Sequence, residues 1–375
     1  MGKLEHQVKG VNLGNWLVLE RWMNPAMFAD TEALDEYHLP RMLPEAVYRE
    51  RIRTHRNEYI TERDFTRIAS WGFGLVRIPV PYFIFGDVEP FIGCIDELDK
   101  AMNWAEAYGL KVLIDLHTAP GNQNGFDNGG MQNILTFGQD PEDVEFVYTV
   151  LERLAKRYRD RKGLWGIEIL NEPMLTEAYE MMHMAERRGE TNDPELAAKS
   201  EPLTMEFLRG FYDTAYDRLR AVLPEDKVIV FHDGFMLDAW KDFWQDGKHV
   251  NVVLDTHQYM MMIDHLPGEA AGEERYRAFL EDLGGRIEEM EQYFPVITGE
   301  WCLSNLAAAR IEDAEERKQF YRFMSDCQIR QWNRGSGYIY WSYKLLIDTV
   351  NSGAKHTDAW DLGRCIDFGW FTDHS

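Results

Sequence analysis

The stretch GLWGIEILNEP, residues 163–173, decides the fold because it joins an apparent buried strand to reactive side chains. Most of its first eight residues are apolar or glycine, which is typical of a strand covered on both faces. The run ends on Asn171, Glu172 and Pro173, so the strand delivers an amide and a carboxylate to its C-terminal tip. Other strands of the chain end in a similar way.

Eight apolar runs with the character of strands recur along the chain, at residues 10–14, 74–80, 111–117, 166–172, 227–233, 251–259, 294–300 and 337–343. Segments of helical period lie between them, at 58–72, 94–109, 141–160, 204–223 and 313–332, each with its apolar residues on one face. No linker rich in proline, glycine or serine interrupts the series. The pattern predicts one α/β domain over residues 1–375, a single (β/α)₈ (TIM) barrel.

The connection after the fourth strand, residues 174–202, is an insertion. A βα loop usually has roughly two to six residues. Because this one starts beside Glu172, we expect it to wall one side of a site there.

Composition and charge narrow the possible partners. The chain has 375 residues, of which 45% are hydrophobic, so it can bury a large core, and its formal net charge is −24. That charge repels nucleic acid and anionic membrane surfaces, and we expect neither as a partner. The first residues carry charges and no apolar signal region, no run is long enough to span a membrane, and the four cysteines are scattered. These features predict a cytoplasmic protein, and the sequence carries no mark of oligomeric state.

Reactive side chains lie at the C-terminal ends of the predicted strands, where barrel enzymes place their chemistry. They are Arg77, His117, Asn171, Glu172, His257, Tyr259, Glu300 and Trp341. Glu172 on strand four and Glu300 on strand seven would face each other across the mouth. Hydrolysis of a glycoside with retention needs such a pair, one as acid/base and one as nucleophile.

The neighbours of the two glutamates predict different roles. Arg77 and Tyr259 would keep Glu300 ionised as the nucleophile, whereas Glu172 would stay protonated until it donates its proton. Asn171 would bind the sugar 2-hydroxyl. The remaining positions would complete the site, His117 and His257 as hydrogen-bonding groups and Trp341 as an apolar face for the sugar ring.

Six motifs carry these residues, namely VRIPV, IDLH, ILNEP, DTHQY, ITGEW and YWSYK. Together they resemble glycoside hydrolase family 5, a retaining family of barrel enzymes, and fill all eight positions of its active-site set. The resemblance implies that Glu172 is the acid/base and Glu300 the nucleophile, and that no metal or cofactor is needed.

Two longer stretches, GVNLGNWLVLERW (10–22) and DLHTAPGNQNGFDNGG (115–130), resemble the exo-β-1,3-glucanase branch of that family. The resemblance implies that Glu20, Asp127 and Asn128 contact the outer hydroxyls of the terminal sugar. It also implies that Trp360 lies over the aglycone site.

The expected activity is that of a retaining, exo-acting β-glycosidase that removes a terminal hexose from a small oligosaccharide. The chain also resembles bacterial intracellular β-mannosidases of the family, and we favour cleavage of mannosyl-β-1,4-N-acetylglucosamine. The alternative is a β-glucosidase or exo-β-1,3-glucanase.

Two other classes of protein stay open. A barrel mouth with His117, His232, His257 and Asp233 could hold a metal ion, although no strand carries two ligands at metal spacing. A non-catalytic carbohydrate-binding barrel is the other possibility, although such a protein would usually have lost one of the two glutamates.

Overall fold

The structure, a computed structural model, describes residues 4–186, 189–264 and 271–374. Its centre is a closed barrel of parallel strands that neighbour one another in chain order, which confirms the predicted (β/α)₈ architecture. The strands are β1 (Val8–Asn12), β2 (Leu75–Val80), β3 (Lys111–Leu116), β4 (Leu164–Glu168), β5 (Val228–His232), β6 (Val252–His257), β7 (Val296–Glu300) and β8 (Gly337–Tyr340).

Helices surround the barrel, and each long one turns an apolar face to the strands. They are α1 (Leu39–Met42), α2 (Glu45–Glu58), α3 (Glu62–Ser70), α4 (Ile95–Ala107), α5 (Pro141–Tyr158), α6 (Thr176–Met181), α7 (Pro194–Ala197), α8 (Met205–Arg220), α9 (Met261–Asp264), α10 (Glu273–Met290), α11 (Leu306–Arg310), α12 (Ala314–Trp332), α13 (Thr349–Ser352) and α14 (Leu362–Asp367). Short 3₁₀ turns lie at Pro25–Phe28, Asp127–Gly129, Leu237–Trp240 and Thr357–Trp360. Among the described residues, no helix is long and apolar enough to cross a membrane.

The segment predicted as one helix over 58–72 belongs to two helices. α2 ends at Glu58 and α3 begins at Glu62. The break falls at Thr61, because its side chain and that of Asp64 form a capping box that starts a new helix.

The inside of the barrel is built in two layers, which follow from the alternation of side chains along a strand. The lower layer is apolar and holds Val8, Leu75, Leu113, Val230, Val253, Ile297 and Ile339. Two residues further along the strands the side chains face inward again. The upper layer there is largely polar and fully buried, and includes Arg77, Asp115, Glu168, His232 and Asp255. This polar layer is the floor of the barrel mouth.

Several strands end earlier than their apolar runs predict. β4 ends at Glu168, β6 at His257 and β8 at Tyr340, so Asn171, Glu172, Tyr259 and Trp341 follow the strands rather than ending them. The chain still runs upward there, because Ile169 N–H donates to Val230 O and Asn171 N–H donates to Leu116 O. These side chains therefore stand above the polar floor.

Candidate active site

The Arg77 guanidinium organises the floor of the mouth. It is fully buried, and its acceptors are Glu168 Oε2 (2.7 Å), Asn171 Oδ1 (2.8 Å), Glu300 Oε1 (2.9 Å) and Asn12 Oδ1 (3.0 Å). Asp115 Oδ2 forms an ion pair with the same group at 3.2 Å. One side chain from β2 thus fixes Glu300 and Asn171 in relation to each other.

His117 and Trp341 line one side of the mouth. Asp115 Oδ2 lies 2.6 Å from His117 Nδ1 and orients the ring, which stacks on Trp341 with centroids 5.6 Å apart. Asn171 Nδ2 lies 3.5 Å from His117 Nε2. A side chain at Gly14 would come within 2.8 Å of the Trp341 ring, so only glycine leaves the tryptophan its place.

Each glutamate has its own pair of partners. Glu300 accepts from Arg77 and, through Oε2, from the Tyr259 hydroxyl at 2.7 Å. Glu172 accepts from His257 Nδ1 at 2.7 Å and from Asn128 Nδ2 at 2.9 Å. The structure therefore brings the predicted residues of strands two, four, six and seven together at one place.

His257 lies between the two carboxylates. Its Nδ1 is 2.7 Å from Glu172 Oε1 and 3.5 Å from Glu300 Oε2. Those two oxygens can therefore lie no more than about 6 Å apart. This limit fits the spacing of roughly 5–5.5 Å in retaining glycosidases better than the roughly 6.5–9.5 Å of inverting ones.

The surroundings shift the pKa of the two carboxyls in opposite directions. Burial and the charge of Glu172 raise the pKa of Glu300, although His257 and Arg77 oppose the rise. Burial alone would raise the pKa of Glu172 too, but the hydrogen bonds from His257 and Asn128 outweigh it and lower its pKa. This corrects the expectation that Glu172 stays protonated in the free protein.

The proton expected on Glu172 is held by its neighbour. Burial disfavours the imidazolium of His257, but Glu300, Asp255 and Glu172 outweigh that effect and raise the pKa of His257 well above its usual value. Glu172 and His257 thus form one buried unit that shares a transferable proton.

The turn that carries Glu172 is strained. Its φ of 46° lies in the left-handed region, which residues with a Cβ seldom adopt. Strain of this kind is kept at functional sites when the surrounding contacts impose it. Here those contacts are the hydrogen bonds of Glu172 to Asn128 and His257.

A second acidic pair lies beside the first. Trp22 Nε1 donates to Glu20 Oε2 at 2.8 Å, and the Glu20 amide donates to Asn15 Oδ1. Burial and the neighbouring Asp127 raise the pKa of Glu20 well above its usual range. Burial, with a contribution from Asp35, raises the pKa of Asp127 to about 6. Asp127 therefore titrates in the mildly acid range.

An open cleft of about 480 Å³ adjoins this acidic pair. It is lined by Arg21, Trp22, Pro25, Leu34, Asp127, Gln132 and Glu190. Asn128, next to Asp127, links the cleft to Glu172 through its side-chain amide. A sugar could thus reach the glutamates from the cleft.

The insertion 174–202 supports this cleft. Residues 187 and 188 lie outside the described part of the chain. Asn133 Nδ2 donates to Glu190 O, and Leu135 N–H to Ser200 Oγ, which ties the insertion to the loop after β3. Asn192 bridges to the segment after β1 through Leu34 N–H and Glu32 O. The insertion therefore walls the cleft next to Asp127, rather than standing only beside Glu172.

Trp360 lies against two aromatic residues of the site. Its ring contacts Trp22 and Tyr259, with centroid distances of 5.1 Å to each. Trp22 donates to Glu20 and Tyr259 to Glu300, so Trp360 is connected to the residues expected at the terminal sugar. Its position over the aglycone stays a prediction.

Comparison with known proteins agrees with this geometry. The family model described as cellulase (glycosyl hydrolase family 5) matches residues 46–345. The chain belongs to glycoside hydrolase family 5. It is therefore a glycoside hydrolase of a retaining family, as the motifs predict.

Its relatives include glucan-degrading enzymes. The glucan 1,3-beta-glucosidase of Kluyveromyces lactis is 29% identical to this family 5 chain over 98% of the chain and 88% of its own length. The probable glucan 1,3-beta-glucosidase A of Emericella nidulans is 36% identical over 80% of the chain and 67% of its own length. Among solved structures, the rutinosidase from Aspergillus niger has the same fold, with a TM-score of 0.75, 20% identity and 98% coverage of both chains.

Sequence reasoning missed the family 5 chain's buried polar floor. Asn12, Asp115, Glu168 and Asp255 are all buried and lie within the apolar runs of the sequence, ahead of the run ends at which the sequence predicts the site. The sequence does contain a pattern that indicates them. Side chains two residues apart on a strand face the same side, and a charged residue on the inward face of a buried strand must have a partner inside the barrel.

Two groups of three side chains among the described residues could approach one metal ion. They are Glu172 with His232 and His257, and Glu168 with Asp255 and His257. Both share His257, whose protonated form is favoured by the surrounding acids and is unable to bind a metal. The chemistry of the donors therefore favours hydrogen bonding over metal binding at both places.

Proposed function

We propose that this family 5 enzyme is a retaining, exo-acting β-glucosidase that releases terminal glucose from short β-1,3-linked glucans. The observation that carries the choice of substrate is the set of relatives, because those that match nearly the whole chain are described as glucan 1,3-beta-glucosidases. Their identities of about 28–30% support the β-glucosidase alternative better than the β-mannosidase expected from sequence.

The proposed first step is attack by Glu300 on the anomeric carbon. Arg77 and the Tyr259 hydroxyl bind both oxygens of the carboxylate and so aim it. The pKa of Glu300 is raised by burial, which corrects the expectation that these two contacts alone keep it ionised, and the charges of His257 and Arg77 oppose the rise. As the glycosidic bond breaks, the leaving oxygen takes the proton of the Glu172–His257 unit through Glu172. A bound sugar excludes water from Glu172 and so favours its protonated form.

In the second step Glu172 acts as the base. It takes a proton from water, which attacks the glycosyl ester on Glu300 and releases the sugar with its β configuration retained. Arg77 donates to the side-chain oxygen of Asn171, so the side-chain NH₂ group can donate to the sugar 2-hydroxyl. Trp341 and Trp360 would cover the apolar faces of the ring.

Exo action is proposed from the end of the cleft. Glu20 and Asp127 place two carboxyl groups where a terminal sugar has free hydroxyls, and Trp22 and the insertion enclose that end. In this proposal the terminal sugar binds with its free hydroxyls toward Glu20 and Asp127, and the polymer does not extend past them. Phe126 and Phe235, whose rings meet edge to face and of which Phe235 also contacts His232, are proposed to contact the aglycone.

The substrate is further proposed to be a small oligosaccharide met in the cytoplasm. All four cysteines are buried as free thiols, which is compatible with that location. Glucose and mannose differ only in the orientation of the 2-hydroxyl. The rates of hydrolysis of β-glucosides and β-mannosides must therefore be compared directly.

A substrate panel tests the proposal. We expect hydrolysis of laminaribiose and p-nitrophenyl β-glucoside, with p-nitrophenyl β-mannoside and mannosyl-β-1,4-N-acetylglucosamine much slower, all in the presence of a chelator. Preference for the mannosides would restore the β-mannosidase reading. Loss of activity in the chelator would favour metal-dependent chemistry, and binding without turnover of any member would favour a carbohydrate-binding barrel.

Asp127→Asn tests the outer acidic pair. Because the pKa of Asp127 is raised to about 6, it is ionised at pH 7 and becomes protonated as the pH falls through 6. We expect KM of the variant to be roughly 10- to 100-fold higher at pH 7, because the substitution removes a hydrogen bond between the sugar and a charged group. In the unsubstituted enzyme we expect kcat/KM to decline as the pH falls through about 6, and this decline should be absent in the variant. A pH profile against p-nitrophenyl β-glucoside measures both effects, with the exposed Glu142→Gln as the control; an unchanged profile contradicts the role.

A further inference from the structure

His232, at the end of β5, is a buried histidine that the proposed mechanism does not use. It is fully buried, and its Nε2 has no hydrogen-bond partner among the residues that the structure describes. One of its nitrogens, one nitrogen of His257 and one oxygen of Glu172 lie within 4.8 Å of one another. A buried polar atom without a partner beside a catalytic acid requires an explanation.

The backbone fixes the tautomer of this ring. The Gly234 N–H donates to His232 Nδ1 at 3.0 Å, so Nδ1 must carry a lone pair. Burial, together with the charges of His257 and Arg77, lowers the pKa of His232 well below its usual value, so the ring is neutral. A neutral ring with an unprotonated Nδ1 carries its hydrogen on Nε2. The atom without a partner is therefore a donor.

This tautomer decides between two roles. A metal ion would need the lone pair of Nε2, and the hydrogen would then move to Nδ1, where it would face the Gly234 N–H. As a donor, Nε2–H needs an acceptor nearby. His257 rests edge to face against His232 with centroids 4.4 Å apart, but it holds a proton of its own. The carboxylate of Glu172, which has an oxygen within 4.8 Å of a nitrogen of this ring, can accept that hydrogen.

We propose that His232 is a positioning residue for the acid/base, a neutral donor whose Nε2–H bonds to the ionised Glu172 during the catalytic cycle. The proposal rests on the proposed role of Glu172 as the acid/base. In the free protein, Glu172 receives bonds from His257 and Asn128. When Glu172 has given its proton to the leaving oxygen, His232 supplies a further donor that stabilises the carboxylate without adding charge.

Two substitutions separate the two nitrogens of the ring. His232→Asn keeps an acceptor for the Gly234 N–H but has no group in the place of Nε2. His232→Gln can place an amide N–H where Nε2 stands. Removing the donor makes ionised Glu172 less stable, so we expect His232→Asn to lower kcat roughly tenfold with little change in KM. The alkaline limb of kcat, which reports groups of the enzyme with substrate bound, should move upward by about half to one pH unit.

The comparison with His232→Gln carries the test. We expect that variant to recover most of kcat and the alkaline limb of the original enzyme. The exposed His183→Asn serves as the matched control. If His232→Asn lowers the melting temperature and kcat but leaves the alkaline limb in place, or if His232→Gln fails to recover it, His232 is structural only and the proposal is overturned.

The tautomer of His232 can also be measured directly in the unmodified enzyme, so this test does not depend on whether the variants fold. The ¹⁵N chemical shifts of the histidine-labelled enzyme should show Nε2 of His232 protonated across pH 5–8, and a hydrogen on Nδ1 would overturn the proposal. The proposed function fails in a different way, because the unmodified enzyme would then hydrolyse no β-glycoside at all.

Discussion

Glu300→Ala is expected to reduce kcat by at least about 10⁴-fold, since the loss of a nucleophile removes the covalent step altogether. The variant should fold, because the smaller side chain leaves Arg77 with its bonds to Glu168, Asn171 and Asn12. The steady-state rate with p-nitrophenyl β-glucoside gives the loss of activity. The exposed Glu142→Ala is the matched control and should keep its full rate.

Added azide makes this result specific for the nucleophile. Without the Glu300 side chain, azide can enter on that face of the sugar and displace the leaving group once. The product should be the α-glucosyl azide, which is identified by NMR. A β-glucosyl azide from this variant, or a near-normal rate without azide, would show that Glu300 is not the nucleophile.

Glu172→Ala is expected to have the second largest effect, and one that depends on the leaving group. A general acid contributes roughly 10²- to 10⁴-fold, and we expect a loss of that size in kcat/KM for laminaribiose, whose leaving oxygen needs a proton. A 2,4-dinitrophenyl glucoside needs no such help, so formation of the glycosyl-enzyme should stay fast and its hydrolysis become slow. The two substrates compared on the same variant measure this difference.

Azide again separates the roles. In the Glu172 variant the glycosyl-enzyme still forms, so azide attacks it from the β face and the product should be the β-glucosyl azide. Equal losses on both substrates would contradict the assignment, because a residue that only supports the fold has no reason to distinguish leaving groups.

The barrel and the catalytic pair could be predicted because each corresponds to a short, local pattern in the sequence. A buried parallel strand is a short apolar run, and Glu172 and Glu300 follow such runs directly. The same rule extended inward would have found Asp115, two residues before His117, and Glu168, four residues before Glu172. Their contacts with Arg77 needed the closed barrel, because they join three different strands.

The errors concern properties that depend on distant segments. The pKa of Glu172 is lowered by His257, which comes 85 residues later, and no local pattern gives the distance between them. In the insertion, the side chains of Asn192 and Ser200 accept from backbone N–H groups of the loops after β1 and β3, and any sequence offers such N–H groups.

The central claim is that Glu300 becomes covalently bound to the sugar. The most direct measurement is to trap the glycosyl-enzyme with 2-deoxy-2-fluoro-β-glucosyl fluoride, digest the inactivated protein and locate the adduct by mass spectrometry. We predict a single adduct on Glu300, with activity recovered slowly as the ester hydrolyses. An adduct on Glu172, or inactivation that leaves Glu300 unmodified, would contradict it.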